Sequence, residues 1–189
     1  MLLRIDYLDV STRTAELDMT SDQDRLYREA AAEYGAALER LVRAYEADAD
    51  KQRDLLQDVH IALWRSLARF NGACSLRTWI YRVAQNTAVS HVMRETRLRR
   101  TVMAGLEEVE AMTAPPTAFG AEQREHLERL LALIRRLKPI DRQVILAYLE
   151  DMDAASIAEI TGLSAVNVAT KIHRIKKILS QQFHEGGPS

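Results

Sequence analysis

An all-α fold is predicted: two small helical domains joined by a flexible acidic linker, the second with a helix-turn-helix. Three observations predict it. The 189 residues include only 7 Gly and 4 Pro, aromatics are 6%, and Ala and Leu are frequent, a composition that favours helix over sheet. Apolar residues recur at spacings of three and four through most of the chain, the period of amphipathic helices. That pattern lapses over residues 99–121, where Pro115, Pro116, Gly120 and the cluster Glu107, Glu108, Glu110 mark a linker and a domain boundary. A stretch of roughly twenty residues exceeds an ordinary connection between helices. The expected division is a flexible tail at 1–21, a first domain at 22–101, the linker at 102–121, a second domain at 122–183 and a tail at 184–189.

In chain order, residues 1–21 are polar with weak periodicity, so an irregular tail is expected. A first helix spans 24–47, with Tyr27, Ala31, Tyr34, Leu38, Leu41 and Tyr45 forming an unbroken apolar stripe. After a short turn at 48–50, a second helix runs over 51–69 with Leu56, Val59, Leu63, Trp64 and Leu67 inward. Asp54, Gln57, Asp58 and Arg65 are left for its outer side, where plain solvation would account for them. A loop follows at 70–74 with Gly72 as breaker. Ser75 is placed to cap the next helix.

Residues 75–100 contain neither Gly nor Pro and read as one helix of about 39 Å at 1.5 Å per residue. Leu76, Ile80, Val83, Ala84 and Thr87 should face a core. Trp79, Arg82, Asn86, Ser90, Met93 and Arg97 follow a second stripe, in which an aromatic, an amide and cations together suit bases and phosphates. A solvated charged face with Trp79 in the core is the alternative that the residues leave open. Beyond the linker, in which a short helix at 106–112 would fit, Leu127, Leu130, Leu131, Ile134 and Leu137 form an amphipathic helix ending before Pro139. A helix at 141–151 points Val144, Ile145, Tyr148 and Leu149 inward. A short helix at 153–161, a turn at 162–164 and a last helix at 165–183 complete the domain.

The net charge of −1 conceals a strong asymmetry. Residues 1–60 hold 8 basic and 14 acidic side chains, 61–101 hold 8 and 1, 102–163 hold 6 and 11, and 164–189 hold 4 and 1. Two basic islands in acidic surroundings point to two separate contacts with a polyanion. Cys74 is the one cysteine, so no intramolecular disulfide can form and a reducing, cytoplasmic setting is expected. It lies in a loop with no basic neighbour in sequence and reads as incidental. No apolar run reaches the length of a membrane span, and the first residues lack a signal peptide's apolar core. The five His (60, 91, 126, 173, 184) lack zinc-ligand spacing, and no phosphate loop, dinucleotide fingerprint or nucleophile elbow occurs. No catalytic residue, metal, cofactor or small-molecule substrate is therefore expected, and the chain is not expected to be an enzyme.

Residues 154–174 carry a second motif. Ala158 is small where another helix must cross, and Gly162, four residues on, supplies a turn that a Cβ would resist. Leu163 plugs the gap, Ser164 caps the next helix, and Val168, Ile172, Ile175 and Leu179 anchor it. Asn167, Thr170, Lys171, His173, Arg174 and Lys177 remain for a major groove, where Asn and Arg can read purine edges and Lys can meet phosphate. A helical hairpin used for protein contacts is the competing reading, and Thr161 is polar where an apolar residue is usual.

Taken together, the two motifs resemble the extracytoplasmic-function sigma factors of bacterial RNA polymerase, over about residues 27–100 and 122–183. DLLQDVHIALW (54–64) looks like that family's polymerase-binding helix, SLRTWIYRVAQNTA (75–88) like its promoter-melting and minus-ten segment, and residues 137–179 like its minus-thirty-five domain. The resemblance implies that Asp54, Leu55, Gln57 and Asp58 meet the polymerase clamp. It implies that the 71–75 loop with Arg77 and Trp79 holds unpaired bases, and that Arg82, Asn86 and Ser90 touch the minus-ten region. Thr170, Lys171, His173 and Arg174 would read the minus-thirty-five element. Ser164 and Lys177 on the same helix, and Arg97 on the earlier one, are taken as further DNA contacts. The implied partners are core RNA polymerase, promoter DNA and a separate anti-sigma factor, and catalysis would belong to the core enzyme. His60, Lys138, Asn167 and Ala169 depart from the family's usual residues. A free-standing helix-turn-helix regulator and a helical protein-binding adaptor are the other two readings; promoter-directed transcription with purified core polymerase separates the first from both.

Overall fold

A computed structural model describes the backbone of residues 8–103 and 121–185, and the side chains of 22–98 and 123–184. Seven helices and no strand occur among the described residues: α1 (Leu8–Tyr45), α2 (Ala49–Leu67), α3 (Leu76–Met103), α4 (Ala121–Arg135), α5 (Pro139–Leu149), α6 (Ala154–Thr161) and α7 (Ala165–Glu185). The helix expected from residue 24 begins at Leu8 instead; residues 8–21 contain no Gly or Pro to stop it. The short helix expected at 106–112 lies outside the described residues.

The helix ends follow local chemistry. Asp48 caps α2 by accepting from the N–H groups of Asp50 and Lys51. Ser75 caps α3 through the Thr78 N–H, 3.0 Å from its Oγ. Pro139 opens α5, where its missing N–H costs nothing. Asp153 caps α6 through the Ser156 N–H at 2.8 Å, and that bond holds its carboxyl below the ordinary value of 3.8. Because the folded value is lowered, the cap's contribution is complete above 3.8 and is lost as pH falls through the folded value. Asp153→Ala is thus expected to melt below wild type at neutral pH, with the difference shrinking in strong acid, as circular dichroism melts would record.

Helices α1, α2 and α3 pack around Leu38, Leu41, Val42, Tyr45, Leu55, Val59, Leu63, Ile80, Tyr81, Ala84 and Ala88, all buried. Two expectations for α2 are corrected. Leu55 is fully buried (0% exposed) while its neighbour Leu56 is only partly so, and Trp64 lies at the surface with its indole N–H donated to Asp24. Helices α4 to α7 pack around Ile134, Val144, Ile145, Ile157, Val168, Ile175 and Leu179.

The two groups of helices also meet, and their buried apolar residues belong to one cluster. α6 and α5 lie against α3, and α4 lies against α1. Leu149, expected inward, is exposed, whereas Asp141, Arg142 and Gln143 are buried. Arg142 donates to the carbonyls of Arg135 and Leu137, closing the end of α4, and its guanidinium lies over the Tyr45 ring of α1, 5.1 Å from the centroid. Gln85 of α3 donates to the Gln143 carbonyl at 3.2 Å, and Arg135 donates to the Arg43 carbonyl at 2.7 Å.

Candidate nucleic-acid and polymerase interfaces

Three surfaces gather the residues singled out above. The first lies along α3 and the loop before it. Gly72 adopts φ +73°, a left-handed conformation that residues with a Cβ resist, and the Asn71 side chain accepts from the Ala73 N–H at 3.1 Å. The loop is therefore a built turn, tied at its far end by the Ser75 cap.

Arg82, Asn86, Ser90, Met93 and Arg97 line one side of α3 as the periodicity predicts, with Asn86, Ser90, Met93 and Arg97 exposed. Fifteen residues separate the two outer positions, a reach of about 22 Å. The Ser90 hydroxyl donates to the Asn86 carbonyl at 2.8 Å, so it is available mainly as an acceptor.

Trp79 stands between the two positions that the sequence leaves open. It is half-buried; its indole N–H donates to Ser66 Oγ at 3.0 Å, Phe70 meets it edge-on at 5.6 Å, and the Arg82 guanidinium covers a face at 4.7 Å. The ring therefore helps to fix the loop to α2. Arg77 is also committed, since it donates to the Glu150 carbonyl of the second domain. Glu150 is a meeting point: Arg40 binds its carboxylate through two bonds of 2.8 and 2.7 Å, and the buried Tyr81 hydroxyl donates to it at 3.0 Å. Burial first, and then the Glu150 charge, push the Tyr81 hydroxyl well above its ordinary value, so it remains a proton donor.

The second surface is the outer side of α7. Gly162 takes φ +73° and returns its N–H to the Ala158 carbonyl at 2.8 Å, and Ser164 Oγ accepts from the Asn167 N–H at 3.3 Å. The helix-turn-helix predicted from the spacing is thus present. Thr161, polar where an apolar residue is usual, donates to the Ile157 carbonyl at 2.7 Å and so satisfies itself within α6. Asn167, Thr170, His173 and Lys177 are exposed, as expected. Lys171 and Arg174 are both held by Asp141, at 2.6 and 2.9 Å. Lys171 is half-buried in that pair; Arg174 keeps more than half its side chain at the surface.

The third surface is the outer side of α2. Asp54 and Gln57 are exposed, and Asp58 forms a surface pair with Arg94 at 3.3 Å. Leu55 cannot share this face, because its side chain is wholly within the core. The adjacent leucines 55 and 56 made the inward position ambiguous from periodicity alone. Glu150 and Asp141 were missed altogether, since nothing local announces an acid that will meet a cation on another helix.

No helix among the described residues is long and apolar enough to cross a membrane. Among the described residues, no group of three or more His, Cys, Asp or Glu could hold a metal ion.

Comparison with known proteins bears on all three surfaces. Two family models match: sigma-70 region 2 over residues 31–98, and sigma-70 region 4 over residues 127–179. The chain is 29% identical over 132 residues to the RNA polymerase sigma factor YlaC of Bacillus subtilis, covering 69% of this chain and 76% of that protein. It is 27% identical over 171 residues to the RNA polymerase sigma factor CnrH of Cupriavidus metallidurans, covering 85% and 87%. It is 25% identical over 141 residues to the ECF RNA polymerase sigma factor SigX of Bacillus subtilis, covering 72% of each. Among solved structures, CnrH in complex with the cytosolic domain of CnrY superposes with a TM-score of 0.65 at 22% identity, over 90% of this chain and 96% of that one. RpoE in complex with the anti-sigma factor NepR from Bartonella quintana also gives 0.65, at 17% identity, over 86% and 98%. At those identities the structural likeness is one of fold.

Proposed function

The chain belongs to the sigma-70 family, as an extracytoplasmic-function sigma factor, and from that premise we propose how its three surfaces divide the work of transcription initiation. It binds core RNA polymerase and directs it to promoters. The outer side of α2, with Asp54, Gln57 and Asp58, meets the polymerase clamp. The stripe Arg82, Asn86, Ser90 and Arg97 of α3 contacts the minus-ten region, and the capped loop before it receives unpaired bases. Helix α7 enters the major groove of the minus-thirty-five element through Asn167, Thr170 and His173, with Ser164, Lys177 and the outer part of Arg174 toward phosphate. Bond-making chemistry stays with the core enzyme. The protein works in the cytoplasm, and an anti-sigma factor covers it when it is idle, as CnrY and NepR are bound to the two structural neighbours.

The observation that carries this reading is the pairing on one chain of two exposed, DNA-suited helical faces, each inside its own sigma-70 match. Transcription from a promoter library by purified core polymerase, with and without the chain, tests it. Transcripts that depend on both components are expected. Operator binding without polymerase, and no dependent transcript, would make the chain a free-standing regulator.

The clamp assignment yields its own expectation. Asp54 and Asp58 lie four residues apart on α2; Asp54 is exposed and Asp58 keeps about half its side chain at the surface in its pair with Arg94, so reversal to Lys should barely disturb folding. The double variant D54K/D58K is expected to bind core polymerase about tenfold more weakly, a loss of about 1.4 kcal/mol, at an unchanged melting temperature. Equal affinity by fluorescence titration would remove the assignment.

A further inference from the structure

Val166 is 75% exposed, more than any other large apolar side chain among the described residues. It stands in the first turn of α7, one residue inside the helix. The fold has no use for it there. Its neighbours Ala165, Asn167, Ala169 and Thr170 are all exposed, and the buried anchors Val168, Ile175 and Leu179 lie on the other side. A β-branched residue is also a poor choice for a solvated helix position on propensity alone.

The surrounding polar groups make the site more selective. Thr170, one turn on, donates its hydroxyl to the Val166 carbonyl at 3.0 Å, which leaves its oxygen only as an acceptor and its methyl group free to touch a partner. Ala169 adds a second methyl. Lys171 and Arg174, the side chains best suited to guanine edges, are drawn to Asp141. The leading half of this face therefore sets apolar groups, from Val166 and Ala169, beside the polar Asn167, within a segment, residues 164–189, that carries four basic side chains and one acid. A leading edge of methyl groups on a cationic helix that enters a major groove has one matching feature on DNA: the 5-methyl group of thymine, which projects into that groove.

We propose that Val166 is a specificity-determining residue that reads the thymine 5-methyl group in the upstream promoter element, with Ala169 and the Thr170 methyl extending the same contact. The proposal rests on the reading of α7 as the upstream-element helix. Adenine on the partner strand needs no donor from the protein at that pair, because the methyl alone marks the base pair and its orientation.

The test uses holoenzyme assembled from core polymerase and the full chain, on a promoter selected for transcription from a random library. Each thymine of the upstream element is replaced singly by deoxyuridine, which removes the methyl group and leaves every hydrogen bond in place. Wild-type holoenzyme is expected to lose about fourfold in affinity at one or two positions, the equivalent of burying one methyl group (about 0.8 kcal/mol). Val166→Ala holoenzyme is expected to bind thymine and deoxyuridine promoters alike, with an unchanged melting temperature because the side chain is exposed. Indifference of the wild type to every deoxyuridine, while its footprint still covers the upstream element, would overturn the Val166 assignment and leave the reading of α7 standing. Retention of wild-type discrimination by Val166→Ala would do the same. A footprint that never covers the upstream element would overturn both.

Discussion

Trp79→Ala is expected to lower folding stability by about 3 kcal/mol, the low end of the range for deleting a large aromatic from a core, because the ring is half-buried. Its loss removes the contact with Phe70, the bond to Ser66 and the surface on which Arg82 rests. Promoter opening should fall with it, since the 71–75 loop loses its attachment to α2. Trp79→Phe separates the causes: it keeps a ring but not the indole N–H, and should cost about 1 kcal/mol through the lost hydrogen bond. Urea denaturation gives the stabilities and permanganate reactivity of promoter thymines gives the opening. An unchanged stability with abolished opening would instead place Trp79 directly against the bases.

Glu150→Ala is the second large effect. The buried Tyr81 hydroxyl, on a residue 1% exposed, would lose its acceptor, which costs about 1–3 kcal/mol. Arg40, well exposed, adds little to that figure. The loss falls on the seam between the domains, so the variant should separate them more readily while each keeps its own core. A larger radius of gyration in solution scattering, with helix content unchanged, is the expected result. Glu150→Gln, which can still accept from Tyr81 but lacks the charge for Arg40, should lie between wild type and Ala. A variant as compact and as stable as wild type would show that Glu150 does not hold the seam.

Sequence periodicity was a good guide wherever one helix packs on its neighbours within a domain. The turn at Gly162, the caps at Ser75 and Ser164, and the exposed stripe from Asn86 to Arg97 all depend on residues a few positions apart, and each was legible. The adjacent Leu55 and Leu56 were harder, because either could serve the same apolar stripe. The seam was not legible at all. Arg40 and Glu150 are 110 positions apart and Tyr81 and Glu150 are 69 apart, so no local pattern marks them as partners. That is also why Leu149 was placed inward and Asp141 to Gln143 were not. Trp79 is part-buried for a related reason: it lies on the outward stripe, but Ser66 and Phe70 reach it from α2 and the loop.

Asp141 has one more effect, on the small ions around the protein. A lysine or arginine that meets a DNA phosphate displaces a condensed cation from the double helix, and each such meeting steepens the fall of affinity with salt by about 0.9 in the logarithmic slope. Lys171 and Arg174 share one carboxylate inside the protein, so one of their two positive charges is already matched. While that holds, the pair displaces one counterion rather than two when α7 meets the groove. Promoter contact through this helix should therefore have a salt slope shallower by about 0.9 than a count of its basic residues implies, and Asp141→Asn should restore the difference.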